Sequence, residues 1–192
     1  LLISQLYLLH FFVYLKRKFP NACTGSFVDW EPIDTYIVRA ADVRKVRPAS
    51  SKDSLEQKDK ILAGEAVQFL TQQNPHAVFV YFGQVDEVGH RDGFHPSVPS
   101  YLQAIQTVDV HIASLIGAIQ SRPDHVQENW LIIISTDHGG RGRKHRGGHD
   151  VPEIVTTFLV VSGKDSMRGE IEEPSYIVDV PVIALTHLGI PI

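Results

Sequence analysis

Apolar residues in this chain gather either into short unbroken runs or into longer stripes at helical spacing, and the two kinds take turns. Ala77–Phe82 reads AVFVYF and Trp130–Ile134 reads WLIII, runs without helical period that predict strands buried on both faces. TGSFVDW at 24–30 and the β-branched run Thr156–Val161 predict two more strands. Leu62, Ala66, Phe69 and Leu70 recur at helical spacing and predict a helix capped by Ser51 or Asp53 and running to about Gln73, where Asn74-Pro75 stops it. Between Ser97 and Ser121 a second stripe holds Leu102, Ile105, Val108, Ile112, Leu115, Ile116 and Ile119. Val178–Leu188 predicts a last helix, and Trp30-Glu31-Pro32-Ile33 a short one with proline in its first turn. Leu1–Leu15 is almost wholly apolar and is followed by Lys16, Arg17 and Lys18. It is shorter than the ~20 residues a membrane span needs, so it predicts a helix packed on a sheet and ending near Pro20, with a membrane anchor as the competing reading. The polar stretch from Arg39 to Lys60 predicts a surface loop.

Strands alternating with amphipathic helices imply an α/β fold, a mostly parallel sheet with helices on both faces, and the chain reads as one domain over residues 1–192. The chain starts at Leu1 and its only methionine is Met167, which reads as a fragment or a processed form.

Composition narrows the function without naming it. A net charge of −4, from 22 acidic and 18 basic residues, gives no general attraction to nucleic acid, and 43% hydrophobic content argues against disorder. The local exception is Arg141, Arg143, Lys144 and Arg146, either a solvated loop or a patch that draws an anionic substrate. The single Cys23 excludes an intrachain disulfide.

The chemistry gathers where strands end. WLIIIS gives way to Thr136, Asp137, His138, Gly139 and Gly140, and AVFVYF gives way to a loop carrying Asp86 and His90 and bent by Gly89. In an open parallel sheet such loops converge on one crevice, so neighbouring strands would aim Asp86, His90, Asp137 and His138 together. The loop beyond Gly140 adds His145 and His149, flanked by Gly147 and Gly148. Catalytic zinc takes three protein ligands of nitrogen and oxygen type and keeps a position open, which Asp86, His90 and a loop histidine would satisfy.

VDEVGH at 85–90 and STDHGG at 135–140, followed by a glycine-flanked histidine, resemble the alkaline phosphatase superfamily, in particular its type I phosphodiesterase/nucleotide pyrophosphatase branch. YLQAIQTVDVHIASLIGAI, the VDW segment and TTFLVVSG extend the resemblance over about residues 12–192. It implies two zinc ions: one on Asp86, His90 and either His145 or His149, the other with Asp137 and His138 as two of its ligands. It also implies a further aspartate and a threonine or serine nucleophile toward the N-terminus. Asp29 lies too late in the pattern for the first, and Thr24 and Ser26 lack a helix-start context for the second. The expectation is a chain that supplies metal ligands but not the nucleophile for hydrolysis of phosphodiesters or nucleotide pyrophosphates, the alternative being a non-catalytic metal- or phosphate-binding remnant of the same fold. The expected partners are a phosphate-ester or nucleotide-like small molecule and a second copy of the chain through an exposed sheet edge, without a nucleic-acid scaffold. The resemblance implies a secreted or extracytoplasmic setting.

Overall fold

In TGSFV three small residues precede two apolar ones, and the segment can be covered on both faces. The structure, a computed structural model, describes residues 11–48, 50–147 and 149–191. Strand β1 (Thr24–Val28) is buried throughout its length. It lies in the middle of a parallel sheet with β2 (Val43–Val46) on one side and β3 (Ala77–Tyr81) on the other, in a register that places Gly25 opposite both Val43 and Val78. Strand β1 is therefore paired on both sides, and its neighbours β2 and β3 are the edges of this sheet among the described residues. Strand β2 lies inside the stretch expected to be a loop. An edge strand is half-exposed, so VRKV can stay polar, with Arg44 paired to Asp34.

Helix α1 (Phe11–Lys18) and helix α2 (Glu31–Tyr36) cover one face of the sheet, where Phe12, Leu15, Val28 and Ile33 pack together. Residues 1–10, most of the run expected as the first helix, lie outside the described residues. Helix α3 (Leu55–Gln72) covers the other face, packing Leu62, Ala66 and Phe69 on Phe27. Its cap is Ser54, not Ser51 or Asp53. Ser54 and Gln57 exchange side-chain to backbone hydrogen bonds in a capping box, whereas the Ser51 hydroxyl donates to Asp53.

After β3 the chain forms helix α4 (Gln84–Asp92) and then the long helix α5 (Pro99–Gln120), which lies along α3 and α4. Strand β4 (Leu131–Ser135) follows, with Trp130 just outside it and packed with Ile132 against Leu70 and Ile119. Here the parallel expectation is corrected. β4 pairs antiparallel with β5 (Leu159–Gly163), Ile133 opposite Val161, in a sheet separate from β3. Among the described residues the one helix between them is the four-residue α6 (Pro152–Val155), too short to carry a strand back in parallel. Thr156 closes α6 through its amide and its hydroxyl, both donating to the Pro152 carbonyl, so the strand begins at Leu159 rather than at Thr156. Helix α7 (Asp179–His187) adds Leu185 to the core around Phe12 and packs on β4. Strand β4 is only half-buried along its length, not covered on both faces as its composition predicts.

Candidate metal centre

The segment after β3 is a helix, not the loop expected, and this decides how its carboxylate and imidazole meet. One helical turn separates Asp86 from His90, so both side chains lie on one face, with His90 Nε2 3.6 Å from Asp86 Oδ2. The start of α4 has no cap of its own. Instead the Gly83 amide donates to Asp29 Oδ2 and the Gln84 amide to Asp59 Oδ2, each at 3.1 Å. A Cβ at Gly83 would collide with the Asp29 carboxylate.

Phe94 joins this helix to the loop after β4. Its ring fills the space beside both Gly89 and Gly140, and its amide donates to the Gly142 carbonyl at 2.7 Å. Gly139 is fixed from the other side: its amide donates to the Ile154 carbonyl at 2.7 Å, and a Cβ there would meet the Glu153 carbonyl oxygen. Arg141 and Lys144 then bridge a tight turn in which Gly142 takes φ +59°, a conformation costly for other residues. The turn brings His145 back over the cluster. Its ring lies 4.1 Å from that of His138 and 4.7 Å from that of His90, centre to centre.

Of the residues singled out in the sequence, Asp86, His138 and His145 converge, their ligand atoms all within 4.8 Å of one another. His90 and Asp137 flank them. Asp137 Oδ2 is 3.6 Å from His138 Nε2, and His145 Nε2 is 3.9 Å from Asp86 Oδ1. His149 is exposed and does not join this cluster among the described residues. The converging atoms are free to bind. His138 Nδ1 lies 2.9 Å from the Gly139 carbonyl and His90 Nδ1 2.9 Å from that of Arg143. A carbonyl only accepts, so Nδ1 is the donor in both contacts and the neutral ring would offer Nε2, the second contact by which metal-binding histidines are oriented. Asp86 Oδ1 is buried with no hydrogen-bond partner among the described residues. One carboxylate oxygen and two imidazoles fit a borderline cation such as zinc.

Acidic groups crowd the same end of the sheet. Burial, followed by the charges of Asp137, Asp29, Asp86 and Asp59, holds the Tyr81 phenol well above its ordinary range. Burial pushes Asp29 up to about 6, and burial together with the charge of Asp29 pushes Asp59 up to about 8. Neither aspartate was singled out as a site residue. Asp29 follows a strand as Asp137 does, which is a readable signal; Asp59 sits within a helix and gives none.

The family model described as type I phosphodiesterase / nucleotide pyrophosphatase matches residues 14–161. This chain belongs to that family. The matched span contains Asp86, His90, Asp137, His138, His145 and His149. No curated protein matches the chain. Among solved structures it is similar to murine ectonucleotide pyrophosphatase / phosphodiesterase 5, an inactive variant in complex with AMP, at 21% identity and a TM-score of 0.44 over 66% of this chain. The chain spans 32% of that protein.

Proposed function

We propose that the chain is the metal-bearing part of a zinc-dependent hydrolase of phosphodiesters or nucleotide pyrophosphates. The observation that carries this reading is the convergence of Asp86, His138 and His145 from α4 and from the loop after β4, inside the span that defines the family. These three residues would hold one ion. His90 and Asp137 flank this set on either side, at 3.6 Å from Asp86 and from His138, and each would be available to a second ion. A bound zinc supplies Lewis acidity toward a phosphoryl oxygen and toward the attacking hydroxyl.

Around it the protein's own groups orient and attract. The Gly139 and Arg143 carbonyls keep His138 and His90 in the tautomer that offers Nε2. Arg141, Arg143, Lys144 and Arg146 are exposed, and none forms an ion pair among the described residues, which suits them to draw in a phosphate-bearing, nucleotide-like substrate. The attacking hydroxyl is not part of this reading of the chain. Thr24 is fully buried, its hydroxyl donating to Asp42 Oδ2 at 2.8 Å and accepting from the Asp42 amide at 3.0 Å, and Ser26 is fully buried beside it.

Zinc content of the purified chain is the test. About one tightly held zinc is expected, lost in Asp86→Ala and in His138→Ala and retained in Asp137→Ala. Loss in His90→Ala with retention in His138→Ala would move the ligand set to Asp86, His90 and a loop histidine. A chain that binds no zinc removes the reading. Release of 4-nitrophenol from bis(4-nitrophenyl) phosphate by the isolated chain, above the level of Asp86→Ala, would contradict the assignment of the nucleophile to residues outside it.

A further inference from the structure

We propose that Asp29 and Asp59 form a carboxyl pair sharing one proton, and that this pair is the positioning element that fixes the first turn of α4 and, through it, Asp86. The metal role of Asp86 rests on the function proposed above; the pair itself stands on separate observations. Asp29 leaves the C-terminal end of β1, and Asp59 faces it from α3 at 0% exposure. Each spends one oxygen on α4, and on consecutive residues: Oδ2 of Asp29 accepts from the Gly83 amide and Oδ2 of Asp59 from the Gln84 amide. A helix start leaves such amides without partners, and here two other elements provide them.

The remaining oxygens decide the protonation. Oδ1 of Asp29 and Oδ1 of Asp59 are both buried and accept no hydrogen bond from any donor among the described residues. Two ionised carboxylates in that position would repel and leave both oxygens unsatisfied. One proton between the two side chains turns the pair into donor and acceptor, and a single negative charge remains. Lys58, itself buried on α3, and the positive end of α4 face that charge. The other titratable groups around it are the Tyr81 phenol on β3, Asp86 on α4 and Asp137 in the loop after β4. Among the described residues, Lys58 is the cation whose charge acts on Asp29.

The sign of the pH dependence follows. Both carboxyls bind protons more tightly folded than unfolded, so their contribution to stability is full below an ordinary carboxyl pKa, about 4, and is lost as pH rises through about 6 and then about 8.

Asp59→Asn and Asp59→Ala test the pair in the full chain, by zinc calorimetry, by denaturation at about pH 6 and about pH 9, and by amide exchange at Gly83 and Gln84. Asparagine keeps an oxygen for the Gln84 amide and places a donor where the shared proton would lie. It is expected to hold zinc within about twofold of wild type and to flatten the fall of the denaturation midpoint between the two pH values. Alanine is expected to weaken zinc by about tenfold or more and to speed exchange at Gln84. Asparagine as damaging as alanine, or a wild-type midpoint flat over that range, would overturn the proposal. Absence of zinc binding in the wild type would instead remove the proposed function, while the midpoint and exchange measurements still decide the pair.

Discussion

At the scale of single residues, the candidate centre depends on groups that carry no ligand atom. Gly139 is the clearest. Backbone on both sides, the Ile154 and Glu153 carbonyls, leaves no room for a side chain, and backbone cannot swing away as a ring or a lysine can. Gly139→Ala is expected to cost roughly 1–3 kcal/mol of stability through overpacking and to weaken zinc binding, because His138 is the preceding residue. A denaturant midpoint and a zinc titration on the same variant check both; an unchanged midpoint would mean that the loop repacks. Gly89 and Gly140 differ in kind, since what fills their space is the Phe94 ring, one side chain that joins α4 to the loop after β4.

At the scale of elements, the helices beside the centre start in opposite ways. α3 is capped locally, Ser54 and Gln57 satisfying each other's amides within one turn, so its beginning is written in its own sequence. Ser54→Ala is expected to destabilise the chain by about 1 kcal/mol, read as a lower denaturant midpoint with the zinc stoichiometry unchanged. α4 is capped from outside by Asp29 and Asp59, residues 54 and 25 positions away in sequence. This is why GQVDEVGHRD reads as a loop when taken alone: it has no capping residue and carries an internal glycine, and both features of a weak helix are overcome by tertiary contacts. The same contrast separates the strands. β1 is legible because it is buried on both faces, whereas β2 is hidden in a polar stretch because an edge strand has one side free for charges.

Across the molecule, the two small sheets of the described residues leave several edges open: β2 and β3 bound one, and β4 and β5 are each paired on one side only. Large apolar side chains stand exposed at the start of β5 and ahead of α7, among them Phe158 just before the strand, Val160 within it, Tyr176 and Val178. Unpaired backbone next to apolar surface favours strand addition, and we propose that the isolated chain self-associates through these edges. Sedimentation over a range of concentrations is expected to give a rising mean mass. A monodisperse monomer at every concentration would exclude it.

The features legible in the chain alone are local or strongly periodic: the long helices at 55–72 and 99–120, the strands around Phe27, Phe79 and Ile133, and the two Asp/His motifs with the histidine that follows. Those signals are carried by burial on a regular repeat and by side-chain chemistry that needs no knowledge of neighbours. Three features emerge only from the folded chain: Asp86 and His90 share a helical face, β4 runs antiparallel to β5 away from β3, and His145 joins Asp86 and His138. Each of these depends on partners distant in the chain. Asp29 and Asp59 start the helix, the shortness of α6 reverses the strand, and Phe94 with the Arg141–Lys144 turn folds His145 back, so no window of neighbouring residues contains the cause.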